Sequence, residues 1–262
     1  MQLADKIVVI TGGAQGIGEG LAVRFQREGA RRVVVVDIQG AAAERVARRV
    51  GGVGYACDVA SGAAVQELVE TIERDVGPID LFCSNAGVAR ADPDPRNVAS
   101  AADAEWQREW GINVMAHVYA ARALVPRMLT RGGGYFLNTA SAAGLLSQIG
   151  SAVYSTTKHA AIGFAESVAI THRDDNIRVS VLCPQAVDTP LLRSVDGGSA
   201  AVDGVLTPEQ VAEAVVAGLA AERFLILPHA EVVEYRARKA ADYDRWLAGM
   251  AKLRRSLLPP KA

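Results

Sequence analysis

The chain has 262 residues, half of them hydrophobic, and a formal net charge of −1. This length can bury a substantial core, and the balanced charge gives no electrostatic reason to expect nucleic acid or an anionic membrane as a partner. No apolar run approaches the ~20 residues needed to cross a bilayer. Three scattered cysteines and an N-terminus without a secretory signal favour a cytoplasmic protein. The histidines are too widely spaced to predict a metal site.

Apolar, β-branched runs of strand length alternate with segments of helical composition. The predicted strands span 6–10, 32–37, 80–85, 134–141, 178–184 and 224–228, with a further short strand within 51–57. The predicted helices span 16–29, 40–50, 61–76, 103–131, 151–173 and 207–221. Because the strand runs are continuously apolar, they should be buried on both faces, as in a parallel sheet. The alternation predicts one doubly wound α/β domain with a mostly parallel sheet of about seven strands and helices on both faces.

Two segments fall outside this alternation. Residues 188–206, which we call the flap, mix glycine with small and apolar residues, as a mobile cover or short helices would. Residues 229–262, the C-terminal extension, are charged and helical in composition, and the domain itself is expected to span 1–228. An apolar stripe recurs in the extension at near-helical spacing, at Tyr243, Trp246, Leu247, Met250 and Leu253. Packing of this stripe on the same domain or on another subunit is preferred to a ligand site.

A glycine-rich turn, TGGAQGIG at 11–18, follows the first predicted strand. Gly12, Gly16 and Gly18 would let the backbone turn tightly, approach a pyrophosphate and pack the next helix on the sheet. The N-terminus of that helix would offer N–H groups to the phosphates. Such turns are common, so its weight as a nucleotide-binding motif comes from its position between a strand and a helix.

The second predicted strand ends at Asp37, about 20 residues after the glycine turn. A carboxylate there can hydrogen-bond the ribose hydroxyls of NAD and would repel the 2′-phosphate of NADP. A strand-end aspartate can also simply cap a turn. Gln15 and Ile38 supply no cation for a 2′-phosphate, so the predicted cofactor is NAD.

Further motifs follow in a fixed order: CDV at 57–59, NAG at 85–87, an asparagine in a predicted helix, a serine after a strand and YSTTK at 154–158. Together with the glycine turn, they resemble the short-chain dehydrogenase/reductase family over residues 6–190. Their joint occurrence carries the resemblance, since no single motif would. It implies a Rossmann-type fold, an oxidoreductase acting on alcohols or ketones with NAD, and a homotetramer or homodimer.

Tyr154 and Lys158 are four residues apart and should share one face of a helix. Oxidation of an alcohol requires removal of its hydroxyl proton as hydride leaves carbon, and a free tyrosine with a pKa of about 10 is a poor base. A nearby ammonium group and an oxidised nicotinamide both favour the phenolate. The resemblance makes Tyr154 the acid/base, while Lys158 lowers its pKa and binds the nicotinamide ribose.

Two more residues complete the catalytic set that the resemblance implies. Ser141 follows a strand at its carboxyl end, the edge where open α/β sheets bind ligands, and its hydroxyl could hold the substrate oxygen. Asn113 corresponds to an asparagine that fixes a water in a proton relay. Taken alone, each has a simpler interpretation, the serine as a turn residue and the asparagine as a local hydrogen-bonding group.

The full set of predicted cofactor contacts lies in six short segments, and those beyond the glycine turn and Asp37 are assigned by the resemblance. They are Gly12, Gln15, Gly16, Ile17 and Gly18 in the turn, with Asp37 and Ile38 after it; Asp58 and Val59 at the adenine; Asn85, Ala86 and Gly87 at the adenosine ribose; and Pro184, Val187 and Thr189 at the nicotinamide, with Tyr154 and Lys158. The chain departs from the family at Gln185, where glycine is usual. A side chain there could narrow the pocket or contact the substrate.

The candidate substrate residues are Ser141, Gln148, Tyr154, Gln185, Leu191 and Leu192, and further apolar wall residues are Leu145, Leu146, Ile149 and Val153. They predict a secondary alcohol or ketone on a largely hydrophobic skeleton, with the flap closing over it. Two alternatives stay open. An NADPH-dependent keto reductase of the acyl-carrier type is disfavoured by Asp37. A non-catalytic NAD-sensing or scaffold protein is disfavoured by the complete catalytic set.

Overall fold

The computed structural model describes residues 1–194 and 198–257. Within these ranges, seven strands form one sheet in the order β3-β2-β1-β4-β5-β6-β7, and every neighbouring pair is parallel. The strands are β1 (Ile7–Thr11), β2 (Arg32–Asp37), β3 (Val53–Ala56), β4 (Leu81–Ser84), β5 (Gly134–Thr139), β6 (Ile177–Leu182) and β7 (Leu225–Ile226). The predicted doubly wound α/β sheet is confirmed, and the strand order reverses between β1 and β4.

Helices cover both faces of the sheet. They are α1 (Gly16–Arg27), α2 (Gly40–Arg49), α3 (Gly62–Asp75), α4 (Asp103–Trp110), α5 (Ala116–Thr130), α6 (Ala143–Leu146), α7 (Ala152–Thr171), α8 (Pro190–Ser194), α9 (Pro208–Ala220), α10 (Glu231–Ala241) and α11 (Tyr243–Leu257). A π-helical segment, Gly111–Met115, joins α4 to α5, so the predicted helix 103–131 is continuous but irregular at its centre.

The continuous apolar strands are explained by two separate cores. Successive residues of a strand point to opposite faces. Val9 therefore packs with α3, α5 and α7 on one face, while Val8 and Ile10 pack with α1, α2 and α9 on the other. All five residues of β1 are buried. A strand covered by helices on both sides has no solvent face on which a polar residue would be favourable.

The remaining predicted strands and helices are present, but most of their ends differ from the predicted ones. Strand β5 ends at Thr139, so residue 141 lies in the connection to α6, a short helix that the sequence did not indicate. In the flap, the structure describes α8 and a 3-10 helix at Gly198–Ala201, whereas 195–197 lie outside the described residues. The extension contains α10 and α11, and 258–262 lie outside. Among the described helices, none is both long and apolar enough to span a membrane.

Candidate functional site

The glycine turn lies at the point where the strand order reverses, and its glycines are required by close approaches. Gly12 has φ 61°, and a Cβ there would lie 2.8 Å from the Cα of Ala86. A Cβ on Gly18 would lie 2.2 Å from the carbonyl oxygen of Gly12. Gly16 has φ 55°, and a Cβ there would lie 2.9 Å from Thr189. The turn, the NAG segment and the segment after β6 are thus packed at a spacing that excludes side chains.

Asn85 joins the carboxyl ends of three strands. Its backbone N–H donates to the Thr11 hydroxyl at 3.0 Å, and its side-chain amide donates to the carbonyl oxygens of Thr11 and Gly12 at 3.0 and 3.3 Å. Its amide oxygen accepts from the Thr139 hydroxyl at 3.1 Å. These bonds set the separation between the glycine turn after β1 and the end of β5, after which Ser141 follows.

The Asp37 carboxylate is buried at the end of β2 and oriented by the backbone. One oxygen accepts from the Ala14 N–H at 3.2 Å, and the other accepts from the Gln39 N–H at 3.0 Å. These two backbone donors fix the orientation of the carboxylate. The next residue, Ile38, is 68% exposed and lines the same cavity as Asp37.

Tyr154 and Lys158 are both on α7, and the Lys158 Nζ lies 5.5 Å from the centroid of the Tyr154 ring. Nζ also donates to the carbonyl oxygen of Thr139 at 3.0 Å. Burial raises the pKa of Tyr154 to about 12, although a hydrogen bond with Ser141 acts in the opposite direction. Burial also lowers the pKa of Lys158 to about 8. The loss of hydration therefore dominates the phenol pKa, while the lowering expected from Lys158 and a bound nicotinamide stays a prediction.

Ser141 follows β5 and is buried beside Tyr154. Its Oγ accepts from the Ala143 N–H at 3.1 Å and lies 3.4 Å from the Pro184 carbonyl oxygen, to which it donates. The hydroxyl thereby contacts both the first turn of α6 and the segment after β6. Ser141 therefore stabilises the turn into α6 and also faces the cavity beside Tyr154, so both interpretations offered by the sequence apply.

Asn113 is fully buried in the π-helical segment, and its side chain is occupied by protein groups. Its amide oxygen accepts from the Val88 N–H at 2.9 Å, and its amide nitrogen donates to Val88 O at 2.9 Å and to the Thr157 hydroxyl at 3.1 Å. A Cβ on Gly87 would lie 3.3 Å from the Lys158 Nζ and 3.4 Å from the Asn113 Oδ1. Asn113 therefore holds the segment that follows strand β4 beside Lys158, and π-helical turns are frequent at functional sites.

A cavity of about 640 Å³ extends from the glycine turn past Tyr154 to the C-terminal helices. The predicted residues that line it are Gly12, Gln15, Gly16, Ile17, Asp37, Ile38, Asp58, Val59, Asn85, Ala86, Gly87, Ser141, Gln148, Tyr154, Lys158, Pro184, Gln185, Val187, Thr189, Leu191 and Leu192. Leu146 and Ile149 line it as well. Gly18, Asn113, Leu145 and Val153 do not, since they pack behind its wall.

The sequence interpretation missed the wall formed by the C-terminal extension. Trp246, Met250 and Leu253 of the predicted apolar stripe line the cavity, whereas Tyr243 and Leu247 are more than half exposed. Tyr235 and Arg238 of α10 and Arg108 of α4 also line it. The stripe was the available signal, but its periodicity is the same whether a helix packs on protein or borders a cavity.

The described residues contain no group of three or more histidine, cysteine, aspartate or glutamate side chains that could hold a metal ion.

Comparison with known proteins gives the family. A model of the short chain dehydrogenase family matches residues 6–199. The chain belongs to this family. A 1-deoxy-11-beta-hydroxypentalenate dehydrogenase of Streptomyces avermitilis is 36% identical over 255 residues, covering 95% of this chain and 93% of the relative. A meso-2,3-butanediol dehydrogenase of Serratia marcescens is 31% identical over 232 residues, covering 85% and 90%.

Two solved structures of short-chain dehydrogenases or reductases are similar in fold. A short-chain dehydrogenase/reductase from Burkholderia phymatum, in complex with NAD, has a TM-score of 0.83 and 24% identity, covering 100% of this chain and 99% of that one. A 3-ketoacyl-(acyl-carrier-protein) reductase from Brucella melitensis, complexed with NADH, has a TM-score of 0.78 and 31% identity, covering 86% and 96%. The protein is thus an oxidoreductase of this dehydrogenase family that acts on hydroxyl or keto groups.

Proposed function

We propose that the protein transfers hydride between NAD and a secondary alcohol or its ketone on a largely hydrophobic skeleton. The observation that carries this proposal is that one cavity is lined by the glycine turn, by Asp37 and by the Ser141, Tyr154 and Lys158 side chains. Nucleotide-binding features at one end and acid/base chemistry at the other are what a nicotinamide-dependent oxidoreductase requires.

The cofactor fits the residues that are present. At Gly12 and Gly16 the backbone is left-handed and a Cβ would collide with neighbouring segments, which leaves a bare backbone beside the N-terminus of α1. That terminus offers N–H groups to a pyrophosphate. Asp37, held by two backbone N–H groups, would accept hydrogen bonds from ribose hydroxyls and disfavour a 2′-phosphate. When bound, NAD supplies the hydride acceptor.

The acid/base chemistry follows from the three side chains around the cavity. In oxidation, the Ser141 hydroxyl holds the substrate oxygen, and the Tyr154 phenolate accepts the hydroxyl proton while hydride leaves the carbinol carbon. The Lys158 ammonium stabilises the phenolate electrostatically, and Asn113 keeps the segment beside Lys158 in place through Val88. In reduction the proton moves from Tyr154 to the alkoxide oxygen. The raised phenol pKa suits Tyr154 to donating this proton at neutral pH.

Tyr154→Phe tests the catalytic assignment. We expect kcat to fall by at least about 100-fold, the lower range for a lost general acid/base, with NAD binding unchanged in a fluorescence titration. Tyr119→Phe is the matched control, because Tyr119 is a half-buried tyrosine on α5 outside the cavity lining. Retention of turnover in Tyr154→Phe would contradict the proposed mechanism.

Cofactor choice is tested by saturation curves with NAD and NADP. We expect kcat/KM to favour NAD by at least about 10-fold, and Asp37→Asn to reduce that ratio, because the neutral amide no longer repels a 2′-phosphate. Asp174→Asn, at an exposed aspartate outside the cavity lining, is the control and should leave the ratio unchanged. Equal use of both cofactors by the unaltered protein would refute the role of Asp37.

One alternative keeps the same chemistry with a different substrate class. The 31% identity to a 3-ketoacyl-(acyl-carrier-protein) reductase favours reduction of an acyl-carrier ketone. Acetoacetyl-CoA serves as a probe: reduction of this thioester at a higher kcat/KM than any hydrophobic ketone would favour the alternative. Tight NAD binding without turnover of any compound in a broad panel would instead favour a sensing or scaffold role.

We also propose self-association into a homodimer or homotetramer. Large apolar side chains are exposed on α4, α5 and α7, at Trp110, Leu129 and Ile170. Burial of these side chains against a second copy would remove apolar surface from water. Sedimentation velocity tests this, and a monomer at micromolar concentration would contradict it.

A further inference from the structure

Asp203, in the flap, connects three parts of the chain that surround the cavity. Its Oδ2 accepts a hydrogen bond from the Gln185 amide nitrogen at 2.9 Å. Its Oδ1 accepts from the Tyr235 hydroxyl at 2.9 Å. Gln185 lies after β6 and Tyr235 lies on α10, so one carboxylate joins the nicotinamide side of the site to the C-terminal extension.

The flap is attached to the domain by backbone hydrogen bonds at both ends of this segment. The Ala186 N–H donates to Ala200 O at 3.1 Å, and the Leu206 N–H donates to Ala186 O at 3.1 Å. The Asp188 N–H donates to Leu206 O at 2.9 Å. Asp203 lies between these anchors, where its side chain adds the link to α10.

Tyr235 also contacts α11 through the ring of Trp246. Its ring centroid lies 6.3 Å from that of Trp246, at an interplanar angle of 44°. Trp246, Met250 and Leu253 form the side of α11 that lines the cavity. None of the α11 residues is fully buried, so contacts of half-buried and exposed side chains such as Trp246 hold this helix in place.

Gln185 holds Asp203 through its side-chain amide. Because a carboxylate has no proton to donate, the amide nitrogen of Gln185 must face Asp203. Glycine at this position, the usual residue of the family, would remove that hydrogen bond. Gln185 therefore acts as one anchor of the link, and hydrogen bonds to a charged acceptor are among the stronger ones.

We propose that Asp203 is a positioning residue that holds α11 over the cavity and so makes the enzyme selective for bulky hydrophobic alcohols and ketones. A substrate long enough to reach from Tyr154 to Trp246 gains contact with this wall, whereas a short alcohol reacts at Tyr154 without touching it. The inference rests on the proposed function for the nature of the substrate. The link between the flap, α10 and α11 stands on the contacts alone.

The first test measures how firmly α11 is held, by hydrogen exchange and without any substrate. Hydrogen exchange of the full chain should show amides of 243–257 exchanging about 10-fold faster in Asp203→Ala than in the unaltered protein, while α1 is unchanged. Tyr235→Phe should give the same pattern. The control is Asp188→Ala, which removes an exposed flap carboxylate paired with Arg193. Unchanged exchange of α11 in Asp203→Ala would overturn the proposal, whatever the outcome for activity.

The second test measures selectivity with borneol as the bulky secondary alcohol and 2-butanol as the short one. In Asp203→Ala, KM for borneol should rise about 10-fold with kcat nearly unchanged, and kcat/KM for 2-butanol should stay the same. An equal loss for both alcohols would refute a role in selectivity. If the unaltered protein oxidises neither, the proposed substrate class and the selectivity inference both fail, while the exchange result still decides the link.

Discussion

Glu109 provides the sharpest prediction, because it is a buried carboxyl group that interacts electrostatically with Tyr154 and Lys158. It is 0% exposed, and in the described part of the chain neither of its oxygens has a hydrogen-bond partner of normal geometry. Burial raises its pKa to about 7, the Glu105 charge adds to this, and Arg108 and Lys158 oppose it. A backbone N–H at Arg90 opposes it more weakly.

The magnitude follows from the difference between the folded and unfolded pKa of Glu109. The usual value is 4.5, and the folded value is about 7. At 1.36 kcal/mol per unit, the difference corresponds to about 3 kcal/mol. Since the unfolded chain releases this proton from pH 4.5 upward and the folded chain keeps it until about pH 7, the free energy of unfolding should fall by that amount across this interval. Above pH 7 the loss is complete.

Glu109→Gln preserves the shape of the side chain and removes its ionisation. Urea unfolding followed by circular dichroism, at one protein concentration, gives the free energy of unfolding at pH 4.5 and pH 8. The difference between variant and unaltered protein should move in favour of the variant by about 3 kcal/mol between the two pH values. Glu166→Gln, at an exposed glutamate on α7, should show no such change. A difference that is the same at both pH values would refute the reasoning.

Three further predictions concern packing, thiol chemistry and capping. Gly18→Ala should lower Tm and weaken NAD binding, because its Cβ would lie 2.2 Å from Gly12 O, whereas Gly249→Ala, with no atom within 4 Å, should leave both unchanged. All three cysteines are buried, and burial raises the pKa of each thiol, so Ellman's reagent at pH 8 should label them in urea and leave the folded chain unlabelled. Labelling of the folded chain would contradict this. Thr207→Ala should cost about 1 kcal/mol in urea unfolding by removing the capping box with Gln210, and Thr207→Ser should restore it.

The sheet and the nucleotide end were predictable because their signals are local. A strand buried on both faces needs consecutive apolar residues, as in VVVVD of β2, and a tight turn at a close backbone approach needs glycine, as at Gly12. The Tyr154–Lys158 pair is equally local, since i and i+4 share a helix face. These features depend on neighbours within a few residues, so the sequence carries them directly.

The pKa values at the site could not be predicted in the same way. Burial raises the pKa of Tyr154 to about 12, an effect that the spacing of Tyr154 and Lys158 in the sequence does not show. The exclusion of water from a side chain depends on how α4, α7 and the β5 edge pack together. The same holds for Glu109, which lies on a helix rich in charged residues and is nevertheless fully buried in the fold.

The sequence by itself determined the fold class, the glycine turn, the likeness to short-chain dehydrogenases and most of the residues that line one end of the cavity. The tertiary structure decided what borders the far side of the cavity. An apolar stripe at helical spacing indicates that one face of α11 is apolar. It does not distinguish packing on protein from bordering a cavity. Asp203 lies 18 residues after Gln185 and 32 residues before Tyr235 in the chain. Their contact exists because the flap and α10 fold over the same edge of the sheet.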